Sequence, residues 1–261
     1  MIIGIVGLGL MGGSFGRSLK NYNLSEKRIG YDHNKNHQKE ALEYDLVDEI
    51  VDLDTLKKAD MIILAIPVDA IIAFLPSLIG VKKTTTIIDF GSTKEMIVKN
   101  IPNELKTQYI PAHPMTGTEK FGPSAAMDKL YQNKTMVLCD VDNCDIIHTE
   151  RAIKIFETIE MKLVFMDSKE HDIHACYISH LPHAISFALA NMVMNNEKPS
   201  NIISLAAGGF RDMSRIAKSS PEMWTDIFRQ NKDNMIESLD LYEKQIEYIK
   251  TLIKNDEYDP I

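Results

Sequence analysis

Met1-Ile-Ile-Gly-Ile-Val-Gly-Leu-Gly-Leu-Met-Gly-Gly-Ser14 is the stretch that decides the fold. Its apolar run, Ile2 to Val6, reads as a buried strand, and Phe15 to Lys20 continue with helical spacing. Between them Gly7, Gly9 and Gly12 spell G-x-G-x-x-G. In that pattern Gly7 permits the tight turn out of the strand. Gly9 lets a pyrophosphate lie against the backbone, and Gly12 lets the helix pack closely on the strand. The motif follows a strand and opens a helix, so Gly7, Gly9, Leu10, Met11 and Gly12 read as a dinucleotide site that offers N–H groups to phosphates. The alternative is a plain strand-turn-helix.

Outward from this turn, Arg28 to Tyr31 read as the second strand, ending at Asp32, twenty positions after Gly12. An acid there accepts hydrogen bonds from the adenosine ribose and repels the 2′-phosphate of NADP, which favours NAD. The alternative is a turn acid in Asp32-His33-Asn34, and the nearby Lys35 could tolerate a phosphate. Asn36 to Tyr44 is a polar helix pattern. Asp60 to Pro67 is a central buried strand, and a helix from Asp69 to Ile79 follows. Thr84 to Asp89 is a strand that opens into Phe90-Gly-Ser-Thr-Lys94 and a helix ending near Asn100. Tyr109 to Ala112 is another strand, leading to His113.

Strands alternating with helices predict an α/β fold with a parallel, doubly wound sheet of the Rossmann kind. Ligands of such sheets lie at the carboxyl ends of the strands. Topology therefore sets Gly7 to Gly12, Asp32, Ile66, Pro67, Ser92 and His113 along one edge. Gly117 to Gln132 is expected to be a lid or binding loop. Thr135 to Cys139, Ile146 to Ile159 and Lys162 to Met166 add a strand, an amphipathic helix and a last strand.

From Ser168 onward only helices are legible, which divides the chain into an α/β domain, 1–167, and an all-α domain, 168–261. A helix from Ser168 to Asn195 is expected, capped by Ser168 and kinked at Pro182. Asn201 to Ala207, Arg211 to Ala217 and one long helix from Pro221 to Ile253 follow. A helical half this rich in Leu, Ile and Met predicts packing against a second copy, a homodimer. The alternative is an ordinary intrachain core.

Composition narrows the function. With 44% hydrophobic and 25% charged residues, the 261-residue chain is a soluble globular type. A formal net charge of −8 argues against a nucleic-acid or anionic-membrane surface, so an anionic substrate needs a local cationic pocket. Cys139, Cys144 and Cys176 are odd in number, lack zinc spacing and fit reduced thiols of a cytoplasmic protein. No secretory signal is expected, and no apolar run approaches the roughly 20 residues of a membrane span.

Chemistry is expected from His113, because a histidine at a strand end near the nicotinamide can exchange a proton with an alcohol. The Ser92 hydroxyl is placed to fix its tautomer. The alternative for His113 is a structural residue before Pro114. Glu119, six positions on, could orient a substrate. His171, His174, Cys176, His180 and His183 crowd one helix, yet no H-E-x-x-H accompanies them and no metal site is read. Instead Ser179-His-Leu-Pro-His183 is expected to turn imidazoles towards the cofactor cleft. Arg211 and Arg215, four apart with Asp212 between them, would clamp a carboxylate. The alternative is a solvated surface pair with Asp212.

Together G-L-G-L-M-G-G-S, D-F-G-S-T-K (Asp89 to Lys94), A-H-P-M-T-G-T-E (Ala112 to Glu119), S-H-L-P-H and G-G-F-R-D-M-S-R resemble, in order and over nearly the whole chain, the prephenate/arogenate dehydrogenase family of tyrosine biosynthesis. The resemblance implies an N-terminal NAD domain, a C-terminal dimerisation domain and an active site between them. It implies oxidative decarboxylation of prephenate, with His113 accepting the hydrogen bond of the ring C4 hydroxyl and Ser92 linking it to the nicotinamide. Arg215 would bind a substrate carboxylate, His183 and His180 would hold substrate, and Glu119 and Asp212 would gate or orient. Arg211 would add a basic group. Trp224 would lie near the substrate side chain, contributed across a dimer in one version. Some relatives carry a fused chorismate mutase or a regulatory domain; neither is expected here, and feedback at the active site stays open. Rival readings are an arogenate dehydrogenase, another NAD-linked hydroxy-acid dehydrogenase, and a non-catalytic NAD-binding sensor.

Overall fold

The computed structural model of the chain describes residues 1–259, with Ile203 described by its backbone alone. Pro260 and Ile261, the end of the expected helical domain, lie outside the described residues. Eight strands form one sheet: β1 (Ile2–Val6), β2 (Lys27–Tyr31), β3 (Glu49–Ile50), β4 (Met61–Leu64), β5 (Thr86–Asp89), β6 (Tyr109–Pro114), β7 (Thr135–Cys139) and β8 (Lys162–Met166). Their order is β3-β2-β1-β4-β5-β6-β7-β8. The order turns back on itself between β1 and β4, the switch point at which doubly wound sheets bind ligands.

The expected all-parallel sheet needs one correction. β7 runs antiparallel to β6, with His113 opposite Val137. The chain between them contains no crossover helix, and a strand that returns on the same edge without one runs backwards. β3 escapes sequence reading because two residues carry no alternation.

The central strands are covered on both faces and are apolar on both sides. Ile3, Ile5, Met61, Ile63 and Ile88 join one core with Phe15 and Leu19 of helix α1 (Leu10–Asn21). Val6, Ile62, Leu64 and Ile87, the alternate positions, join the other. Helices α2 (Lys35–Glu43), α3 (Leu53–Leu56), α4 (Val68–Phe74), α5 (Glu95–Lys99) and α6 (Ile146–Thr158) complete the layers.

The chain divides into two compact units, the first holding Met1–His171 with Ser219–Asp226, the second Asp172–Lys218 and the chain from Ile227. The helices after the sheet are α7 (Ser168–Ala175), α8 (Leu181–Asn196), α9 (Pro199–Leu205), α10 (Gly208–Ser214), α11 (Pro221–Gln230) and α12 (Lys232–Lys254). α7 is capped by Asp167 and not by Ser168: the Glu170 N–H donates to Asp167 Oδ1 at 2.8 Å. The irregularity expected at Pro182 is a π turn over Cys176–His180, just ahead of it. The proline ring excludes the carbonyl four residues back, and the widened turn accommodates the loss. The long helix expected from Pro221 to Ile253 breaks at Asn231. That side chain turns inward, donating to the Asp172 carbonyl at 2.7 Å and facing His180 Nδ1 at 3.0 Å. No helix among the described residues is long and apolar enough to cross a membrane.

Candidate active site

The glycine turn is built for two different reasons. Gly7 has φ +86°, and a Cβ there would stand 2.4 Å from the Ala65 carbonyl oxygen. A Cβ on Gly12 would stand 1.9 Å from the Gly7 carbonyl oxygen. The fold itself forbids side chains at both. Gly9 differs: a Cβ there would meet only the Gly122 nitrogen, at 3.9 Å. The backbone of Gly9 is therefore open on that side, as a pyrophosphate laid against it would need. α1 begins at Leu10 with no side-chain cap and no acid in its first turn. Its leading N–H groups, those of Leu10, Met11 and Gly12, are the ones a helix leaves for a phosphate.

Asp32 sits against this turn. Its Oδ2 accepts the Leu8 N–H at 2.9 Å and its Oδ1 accepts the Asn34 N–H at 2.8 Å. Ile66 and Pro67 connect β4 to α4 on the other side, with Ile66 Cγ2 2.6 Å from where a Gly7 Cβ would lie. The open Gly9 face, the helix N-terminus and the acid at the end of β2 together fit a dinucleotide.

Farther along the same sheet edge, β5 ends at Asp89 and β6 leads into His113. The ammonium of Lys94 pairs with Asp89, both wholly buried, and donates to the Ala112 carbonyl at 2.7 Å. Asp89 Oδ1 also accepts the Gly91 N–H at 2.8 Å. The turn that carries Ser92 is thereby tied to the residue just before His113. The D-F-G-S-T-K motif by itself gives no sign of this pairing.

His113 Nδ1 lies 2.9 Å from Nε2 of His171, a buried residue of α7. The group facing that ring nitrogen is an imidazole. His171 stood in the sequence as one of five crowded residues, and its pairing depends on a contact 58 positions away. Such a pairing has no local signal.

The expected lid, Gly117 to Gln132, is largely fixed. The Met127 N–H donates to Ser14 Oγ at 2.9 Å, the Tyr131 hydroxyl donates to the Met11 carbonyl at 2.6 Å, and Arg17 pairs with Asp128 at 3.1 Å. Leu130 and Tyr131 enter the core. Residues 117–121, including Glu119 and Phe121, form one exposed run, and 127–129 form another.

In the helical unit, His183 donates from Nδ1 to the Ser179 carbonyl at 2.9 Å. Burial, and then the nearby positive charge of Arg215, lower its pKa. His183 and Arg215 are thus neighbours. Arg215 opens the 3₁₀ turn Arg215–Lys218, and Arg211 and Asp212 are exposed on α10. His180 is buried against Asn231, and Cys176 faces Ser238 Oγ at 3.2 Å. The Cys176, His180 and His183 series therefore disperses to separate partners. Trp224 is buried on α11, in the stretch grouped with the sheet unit.

Comparison with known proteins agrees over the full length. Residues 15–165 match the family described as prephenate dehydrogenase, nucleotide-binding domain, and residues 167–261 match prephenate dehydrogenase, dimerization domain. A prephenate dehydrogenase of Bacillus subtilis is 32% identical over 260 residues, covering 97% of this chain and 70% of that protein. A cyclohexadienyl dehydrogenase of Zymomonas mobilis is also 32% identical, covering 98% and 90%. The crystal structure of prephenate dehydrogenase from Aquifex aeolicus, solved with hydroxyphenyl propionate and NAD+, superimposes with a TM-score of 0.93 at 31% identity, covering 100% of this chain and 93% of that one. With both halves matched and the whole architecture shared, the chain belongs to the prephenate dehydrogenase family.

Proposed function

We propose that this chain oxidatively decarboxylates prephenate to 4-hydroxyphenylpyruvate in tyrosine biosynthesis, using NAD+. The observation that carries the reading is the His113–His171 pair on the sheet edge that also bears the open Gly9 turn and Asp32. Leu10, Met11 and Gly12 hold the pyrophosphate by their N–H groups, Asp32 holds the adenosine ribose, and Ile66 and Pro67 wall the turn. Bound NAD+ supplies the hydride acceptor for C4 of the ring.

The chain's own task is to manage charge and protons. With Nδ1 of His113 committed to His171, the substrate hydroxyl falls to Nε2. Nε2 accepts the C4 hydroxyl proton as C4 is oxidised and returns it to the phenolic oxygen once the ring carboxylate has left as CO2. Ser92 positions this group. Arg215 takes a substrate carboxylate as a charge-assisted pair, and the same charge helps keep His183 a neutral imidazole able to hydrogen-bond substrate. His180, Arg211, Asp212, Glu119 and Trp224 are proposed to complete the substrate's surroundings.

The division of labour follows the 1–167 and 168–261 halves, with homodimers formed through the helical half. Met192, Met194, Ile236, Leu241, Ile246 and Ile253 are exposed there, an apolar area suited to a second copy. None of the three cysteines is joined in a disulfide, in keeping with a cytoplasmic enzyme.

A second reading, arogenate as substrate, draws on the Zymomonas relative, whose name specifies the cyclohexadienyl ring and not the side chain. Measuring NADH formation from NAD+ with prephenate, and in parallel with arogenate, tests both. The larger kcat/KM assigns the substrate. NAD+ binding with no NADH from either compound would reject both in favour of a sensor.

A further inference from the structure

Asp32 carries more than the two backbone N–H groups. His37, from the first turns of α2, places Nδ1 3.5 Å from Oδ2, and His33 places Nδ1 3.7 Å from Oδ1. Asp32 is nearly buried, His37 is one-third exposed and His33 is almost fully exposed. Each carboxylate oxygen thus has one N–H donor and one imidazole. The acid expected to read the ribose hydroxyls sits between two imidazoles, each able to take up a proton.

We propose that His33 and His37 make the adenosine-ribose site a protonation-dependent selector between NAD and its 2′-phosphorylated counterpart. The inference rests on the dinucleotide reading above. With both imidazoles neutral, Asp32 presents an unopposed negative charge and free acceptor capacity: the ribose hydroxyls are bound and a 2′-phosphate is repelled. With both protonated, the imidazoliums outweigh the carboxylate and compete for its lone pairs. The ribose hydroxyls lose acceptors while a phosphate dianion gains two cations.

The surroundings leave this balance to few groups. Lys35, exposed in the first turn of α2, adds a constant positive charge. On the rest of α2, Lys39 pairs with Glu43 at 3.6 Å, and Glu40 lies one turn beyond His37. α2 packs against β3, whose Glu49 is paired with Lys27, and against the turn Pro123–Ala125, which carries no ionisable side chain. The glycine turn itself contributes none.

Direct binding of NAD+ and NADP+, measured by titration calorimetry at about pH 8 and about pH 5.5, tests the selector. The NADP+-to-NAD+ affinity ratio of the natural protein should rise about tenfold on acidification, the size expected of gaining nearby opposite charge. In the His33→Gln/His37→Gln protein it should follow only the phosphate's own titration, which acts alike in both proteins. Parallel ratios in the two proteins overturn the proposal. A protein that binds neither dinucleotide at either pH overturns the underlying site reading instead. Should the double variant fail to fold, proton NMR of the natural protein decides: two imidazole resonances should titrate at higher pH with NADP+ than with NAD+, and unmoved resonances reject the selector.

Discussion

His113 Nδ1 and His171 Nε2 stand 2.9 Å apart, and only one of them can carry the proton between them. A neutral His113 that accepts a hydroxyl at Nε2 must carry its proton on Nδ1 and donate it to His171. His171, accepting at Nε2, then carries its own proton on Nδ1 and orients the ring without touching substrate. His113→Asn should lower kcat by about 10²- to 10⁴-fold while NAD+ affinity persists. His171→Ala should lower kcat by about 10- to 100-fold, as loss of an orienting partner does, and alter the acid limb of the pH profile. His171→Gln, which restores an acceptor, should recover part of it. Unchanged kcat and pH profile in His171→Ala would make the pair purely structural.

Gly9 and Gly12 should separate under the same substitution. Gly12→Ala forces a methyl to 1.9 Å from a backbone oxygen, so it should lower the melting temperature strongly. Gly9→Ala meets no protein atom closer than 3.9 Å, so the fold should tolerate it. Its methyl would occupy the path of the pyrophosphate, weakening NAD+ binding about tenfold or more. Thermal denaturation and dinucleotide titration on both variants read the difference. Equal stability losses would mean that Gly9 serves the fold after all.

The buried Asp89–Lys94 pair should respond asymmetrically to single and paired replacement. Lys94→Met leaves an uncompensated carboxylate and should cost about 3–5 kcal/mol. Asp89→Leu with Lys94→Met removes both charges and should recover most of that loss. Because Lys94 also holds the Ala112 carbonyl, the recovered protein should remain slow in turnover, with the His113 approach loosened. Urea unfolding and kcat, measured together, distinguish the two effects.

Arg215→Ala should raise KM for the dicarboxylate substrate about 10- to 100-fold, the cost of a charge-assisted bond of roughly 1.5–3 kcal/mol. Arg215 also contributes to the lowered pKa of His183, so the same variant should shift that histidine's titration upward. An unchanged KM would remove Arg215 from substrate binding.

What was legible in the sequence follows the range of the physics. The glycine turn, Asp32 and the strand ends are local patterns, and β1, β2 and β5 to β8 fall where hydrophobic runs place them. Asp167 as a cap, Asn231 as a break and the antiparallel return of β7 each depend on a choice between near-equal local options, made by packing. Lys94 and His171 acquire their roles only through contacts to Asp89, Ala112 and His113 that the fold creates. An isolated lysine or histidine carries no sign of them.

His148 sets the last expectation, about pH and stability. It is buried on α6, with Nε2 3.1 Å from the Lys83 carbonyl and Nδ1 2.8 Å from Thr86 Oγ1. The carbonyl can only accept, so Nε2 carries the proton and Nδ1 receives the threonine hydroxyl. Arg151 donates to the same Thr86 oxygen at 2.9 Å. Burial first, and then the charge of Arg151, hold the His148 pKa below its ordinary value. Below about pH 6.5 the unfolded chain therefore binds a proton that the folded ring refuses. The stability this ring contributes is complete above that pH and is lost as pH falls towards the folded pKa. Each such proton gives a slope of up to about 1.4 kcal/mol per pH unit. His148→Gln can keep both hydrogen bonds without titrating, so its urea midpoints should fall less steeply from about pH 7.5 to about pH 5. Part of the slope should remain, because His183 is shifted in the same direction. Parallel curves for the two proteins would show that His148 titrates alike in the folded and unfolded chain.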